Sequence, residues 1–122
     1  MAYVAKTLAA NLADTEISDT DVGTTVQYAF TGSKELVGVY LDNTSGSSDA
    51  FLRVFDLTSN VTNGTTAPEF IFYAPGNTAR MYSIPLGLSF VNGVAYCGSN
   101  TAGTAGTAAP TTTLSLQMLL KT

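Results

Sequence analysis

Apolar and polar residues alternate with a period close to two through most of this chain, in short runs separated by clusters of Gly, Pro, Asn, Ser and Thr. A strand with one buried face demands that period, because successive side chains point to opposite sides of a sheet. An amphipathic helix would need a period of about 3.6. The runs are also rich in Val, Ile, Phe, Tyr and Thr, which suit a pleated, half-buried surface. The alternation predicts strands near Tyr3–Leu8, Thr24–Phe30, Glu35–Asp42, 51–56, Phe70–Ala74, Thr78–Ile84, Leu86–Phe90, Val94–Cys97 and Thr113–Leu120. In Glu35–Asp42 the aliphatic set Val37, Val39 and Leu41 is expected to face the core. In FLRVFD, residues 51–56, either face suits burial: Phe51, Arg53 and Phe55, or Leu52, Val54 and Asp56.

Turn chemistry fills the gaps. Thr31 to Lys34 reads as a turn, Asn63-Gly64 and Asn92-Gly93 are strong turn signals, and Pro75-Gly76-Asn77 is expected to close a hairpin. Pro85 has no N–H for a central ladder, so it marks an edge position or a break. Residues 4–12 carry a competing helical propensity, and strand is preferred there. About eight short antiparallel strands at a spacing of about 8 to 12 residues predict an all-β sandwich or barrel.

A chain of 122 residues removes roughly two-thirds of its unfolded surface from water on folding, enough for one core. A single domain over residues 1–122 is expected. The lone Cys97 allows no internal disulfide, and with no His the chain has no imidazole base, no Ser-His or Cys-His pair and no nitrogen ligand for zinc. Five cations, Lys6, Lys34, Arg53, Arg80 and Lys121, stand singly against nine acids, giving a net charge of −4. That distribution disfavours nucleic acid, which needs a basic patch. Charged residues are 11% of the chain, against about 25% in ordinary soluble domains. The missing charge has two answers in the sequence: many Thr, Ser and Asn hydroxyls and amides, and surfaces covered by self-association or by docking on a larger body. No run approaches the roughly 20 apolar residues of a membrane span. The first residues lack the apolar core of a signal peptide, so none is expected.

Few residues suggest chemistry. Asp14, Glu16, Asp19 and Asp21 form an acidic cluster with the oxygen ligands that calcium takes, but the Gly and bidentate Glu of a calcium loop are missing; a solvated acidic connector is the reading. Glu35 and Glu69 could supply paired carboxylates, yet both flank strands and nothing predicts a shared cleft. Cys97 is expected to be a buried, inert thiol, and the Tyr and Phe residues to be packing. Asn43, Asn60 and Asn63 begin glycosylation-type triplets that are more simply turn residues. No catalytic, cofactor or metal residue is expected, and the chain is read as not an enzyme.

The order of elements from Ala50 to Leu120 resembles small virion structural proteins of tailed bacteriophages. The likeness is carried by FLRVFDLT, a Thr-Gly loop ending in Ala67-Pro68, the segment FIFYAPGNTARMYSIPLGLSF, the turn Asn92-Gly93, and a Gly/Ala/Thr loop before LSLQMLL. The resemblance implies a jelly-roll β-sandwich with no catalytic residues, and a capsid cement or decoration subunit, a homotrimer bound to the major capsid protein on the outer capsid surface of the virion. Its alternative is a head-fibre or tail module recognising surface glycans through exposed Tyr or Asp. Residues 1–23, as an N-terminal arm or a first strand with its acidic connector, and the flexible loop 98–113 are the expected contact segments.

Overall fold

Strand β9 (Leu114–Lys121) is where the alternation is cleanest: Leu114, Leu116, Met118 and Leu120 are buried, while Ser115, Gln117, Leu119 and Lys121 turn outward. Eight further strands are arranged around it in the computed structural model, which describes residues 3–7 and 13–122. They are β1 (Val4–Thr7), β2 (Thr15–Val22), β3 (Gln27–Thr31), β4 (Lys34–Asp42), β5 (Ala50–Phe55), β6 (Phe70–Ala74), β7 (Ala79–Phe90) and β8 (Gly93–Ser99). No helix occurs among the described residues. Residues 8–12, the remainder of the segment weighed between strand and helix, lie outside the description; the described part of it is strand.

Two antiparallel sheets face each other, one ordered β1-β2-β9-β4-β7 and the other β3-β8-β5-β6. The pairings β2 with β9, β3 with β8, β4 with β7 and β5 with β6 are the rungs of one long hairpin rolled over into two layers, the jelly-roll arrangement. The chain therefore changes sheet at almost every turn. Pro75-Gly76-Asn77 does not close a hairpin, because β6 and β7 belong to different sheets; it is a corner, with Asn77 at φ 59°. Local turn chemistry is the same for a corner as for a hairpin, and partner choice is made by the inner faces.

Those inner faces form the core: Ile17, Leu36, Val39, Leu41, Leu52, Val54, Phe90, Val94 and Tyr96 meet the apolar row of β9. The phase expected in β4 holds for two of its three residues. Val39 and Leu41 are buried, but Leu36 replaces Val37, because a register shift between Leu36 and Gly38 reverses the alternation. Opposite that shift β7 bulges: Ile84, Pro85, Leu86 and Gly87 face the single residue Val37. Gly87 takes φ +76°, which only glycine adopts cheaply. Pro85 thus sits on an edge strand, as its missing N–H requires.

The acidic connector is a correction. Thr15 to Val22 is strand β2, paired with both β1 and β9. Its alternation is hidden because the inward position between Ile17 and Val22 is taken by Asp19, only 2% exposed, and because the ladder shifts between Asp19 and Val22.

One further contact ties the ends of this sheet. Asp14 accepts hydrogen bonds from Thr122 Oγ1 (2.6 Å), Lys34 Nζ (2.9 Å) and the Thr122 N–H (2.9 Å). The Thr122 hydroxyl first, then the Lys34 ammonium and the Thr122 N–H, hold the Asp14 carboxyl well below the usual carboxylate range. Asp42 is lowered by the Thr44 hydroxyl and N–H. A carboxyl depressed by folding adds stability above its unfolded pKa of about 4 and loses it as pH falls through the folded value. The unfolding midpoint is therefore expected to drop below about pH 4, and Asp14→Asn to lower the neutral-pH midpoint while flattening that acid limb. Chemical denaturation across pH checks it; a wild-type midpoint unchanged from neutral to strongly acid pH contradicts it.

Candidate contact surface

The residues singled out for chemistry are dispersed by the fold. Along β2, Glu16 and Asp19 point to opposite faces of the sheet. Asp14 is tied to Lys34 and Thr122, and Asp19 is buried with Oδ2 accepting from Tyr96 Oη at 2.7 Å and Oδ1 from the Asp21 N–H at 2.9 Å. Among the described residues no group of three or more acidic or thiol ligands converges. Glu35, on β4, pairs with Lys121 at 3.7 Å, whereas Glu69 precedes β6 in the other sheet, so the two share no cleft. Asp56 takes up the β7–β8 turn: burial pushes its carboxyl up, and the N–H groups of Val91, Asn92 and Gly93 together outweigh that and lower it.

Two asparagines of the glycosylation-type triplets are structural. Asn43, 2% exposed, donates Nδ2 to the carbonyls of Ser48, Ala74 and Pro75, and Asn63 donates to those of Thr24 and Gly98. Exposed tyrosines do not gather either. Tyr40 lies on the outer face of the five-stranded sheet, while Tyr28 and Tyr73 are on β3 and β6, opposite edges of the four-stranded one.

The two outer faces differ sharply. In β5 both candidate faces are buried: Leu52 and Val54 enter the inter-sheet core, and Phe55 joins Ala95 and Cys97 in a second cluster on the outside of the four-stranded sheet, with Val26 and Val61 against it. Burial pushes the Cys97 thiol up to about 11, with the Arg53 charge opposing, as expected of an inert cysteine.

Arg53, fully buried, organises the cover. Its Nε donates to the Gly103 carbonyl, and its terminal nitrogens donate to the carbonyls of Thr101, Ala105 and Gly106, to Thr101 Oγ1 and to Asn63 Oδ1, at 2.5–3.3 Å. The guanidinium is thereby caged by neutral oxygens from two loops. Loop 98–113, expected as a contact segment from its composition, contains no strand between Asn100 and Thr113, and its 101–106 stretch is wrapped around this side chain. Gly64, at φ +91°, lets the other loop approach: a Cβ there would stand 2.6 Å from Thr107 Cγ2.

Among the described residues no loop covers the outer face of the five-stranded sheet in this way. Val37, Gly38, Met81, Ser83, Ile84, Pro85, Leu119 and Lys121 line an open groove of about 400 Å³, and Met81 and Leu119 continue it toward Tyr40, Gln117 and Glu16. Beside it the β7 bulge projects Leu86, 92% exposed, and Met81 is 52% exposed. The chain matches no family model, no curated protein and no solved structure. Its surface is therefore the ground for a functional reading.

Sequence reasoning missed this patch. Its trace is the segment Ile84-Pro85-Leu86-Gly87, apolar residues placed where the chain turns; whether such residues project or pack depends on the opposing strand. Arg53 was also missed as an organiser, although a lone cation inside FLRVF, with no acid beside it in the run, is the signal.

Proposed function

We propose that this chain is a structural virion protein of a tailed bacteriophage, a capsid cement or decoration subunit acting as a homotrimer on the outer capsid surface. The observation that supports this reading most is the division of its surface. Asp14, Asp19 and Arg53 are engaged in internal ties, while one sheet presents an open apolar groove and a projecting leucine. Jelly rolls also serve as viral capsid and lectin domains; that is support by fold analogy, and the surface carries the rest.

Cementing a shell needs two kinds of contact. One holds copies of the subunit to each other, and an apolar patch poor in charge suits it. The other bridges neighbouring copies of the major capsid protein, for which the Thr-, Ser- and Asn-rich corners 43–49, 75–78 and 100–113 offer hydrogen bonds suited to a wet interface. Joined subunits bind such a lattice more tightly than each does alone, since later contacts form at high effective concentration.

Shells assembled without the chain and then saturated with it are expected to retain their genome to a higher temperature than bare shells. An unchanged release temperature, or specific binding on a glycan array with none to shells, contradicts the reading.

A further inference from the structure

We infer that the β7 edge, with the groove beside it, is the face through which copies of this chain associate, Leu86 of one copy seating in the groove of the next. The inference deepens the proposed role by naming the surface of self-contact, and it rests on four features of that surface.

First, the projection and its receptor adjoin. Leu86 stands 92% exposed on the bulge whose neighbouring residues, Ile84 and Pro85, form one wall of a groove completed by Val37, Met81 and Leu119. Knob and hole are distinct points on every copy, so the knob of each can enter the hole of the next around a closed ring, the head-to-tail contact that a trimer uses. Second, the charges at the groove's rim pair. The chain carries −4 overall, yet beside the groove Glu35 and Lys121 pair at 3.7 Å, both still about 40% exposed. The rim pair can exchange partners between copies, while the Glu16 carboxylate lies farther along, where the groove continues past Met81 and Leu119.

Third, the size is adequate. Strand spacing and rise give the five-stranded face a footprint of about 20 Å by about 27 Å, and with the projecting bulge this is of the order of the roughly 800 Å² per partner that stable interfaces bury. It would remove about one-seventh of the chain's 5878 Å² of accessible surface. Fourth, the middle of the opposite sheet is already covered: loops 56–69 and 100–113 close over Phe55, Ala95 and Cys97, leaving Tyr28 exposed on its β3 edge and Ile71 and Tyr73 on its β6 edge.

Light scattering on the full chain tests this with two variants, Leu86→Asp and, as a control on the far sheet, Ile71→Asp, whose residue is also exposed on β6. The wild type and Ile71→Asp are expected to have the same mass, a multiple of 12.7 kDa. Leu86→Asp is expected to weaken association at least about 30-fold, as loss of a central apolar anchor does, and to run as the monomer with an unchanged far-ultraviolet spectrum. A monomeric wild type, a Leu86→Asp chain of wild-type mass, or dissociation by Ile71→Asp overturns the inference. Shell binding separates this from the proposed role: shells that bind a monomeric wild type remove the self-contact, and the homotrimer with it, and keep the cement role, whereas an oligomer that Leu86→Asp dissociates but that binds no shell keeps the self-contact and removes the role.

Discussion

Replacing Arg53 with Met is expected to cost about 3–5 kcal/mol of stability, a fall in the melting midpoint of roughly 10–20 °C for a domain of this size. Methionine fills a similar space without donors. It leaves four loop carbonyls, Thr101 Oγ1 and Asn63 Oδ1 without the guanidinium that gathers them, and they recover hydrogen bonds only if the loops open to water. Opening uncovers Cys97, so a thiol reagent should label the native variant much faster than the wild type. Arg53→Lys keeps the charge but offers three donors in place of a planar five-donor fork, and its loss should be intermediate. A midpoint within about 1 kcal/mol of wild type, with Cys97 still protected, would show that the loops hold their places without the cage.

The buried pair Asp19 and Tyr96 should show the second large effect, and a distinctive one. Tyr96 is wholly buried in the inter-sheet core and donates to a carboxylate that is itself 2% exposed; burial first, then the hydrogen bond to Asp19, raise the tyrosine hydroxyl's pKa. Tyr96→Phe leaves the Asp19 carboxylate buried with the Asp21 N–H as its remaining donor, and should cost about 2–3 kcal/mol. Asp19→Leu leaves the tyrosine hydroxyl unsatisfied at a similar cost. The double variant removes both polar groups together, and it should recover about 2 kcal/mol relative to the sum of the single losses. Urea unfolding of the four proteins measures the coupling. Additive losses would mean that the two groups act separately and that the pair does not fix β2 against the core.

These two sites also mark where the sequence was readable and where it was not. Strands β4, β5, β6, β8 and β9 were legible because their inward rows are apolar, as in Leu114, Leu116, Met118 and Leu120; β7 reads in the sequence as two strands parted at Pro85, but the bulge carries it through as one. Burial of Cys97 and the edge position of Pro85 followed from the chemistry of a thiol among apolar residues and of a nitrogen without a proton. β2 was not legible, since its inward row runs Ile17, Asp19, Val22 and the partner of Asp19 lies on β8, 77 residues away. The Arg53 cage is hidden for the same reason: its carbonyls are 48 to 53 residues distant and carry no side-chain signature.

Strand order was beyond reach because corners and hairpins share turn residues, so that Pro75-Gly76-Asn77 reads the same whether its flanking strands pair or part. The apolar groove of the five-stranded sheet was hidden by a single register shift. It places Val37 in the outer groove where strict alternation would bury it, and it leaves Leu86 projecting from β7. Low charge was visible from the start, but not its distribution: the strands of the five-stranded sheet hold most of the charged residues, and those of the other sheet only Arg53.

The central claim is that this surface belongs to a subunit of a shell. Titrating the purified chain against preassembled capsid shells, and counting the copies that sediment with them, tests it most directly. Binding is expected to saturate at a fixed ratio to the major capsid protein and to persist in high salt, because the contacts carry little charge. Failure to sediment with shells at any concentration, or a bound amount that rises without saturating and is stripped by salt, would contradict it.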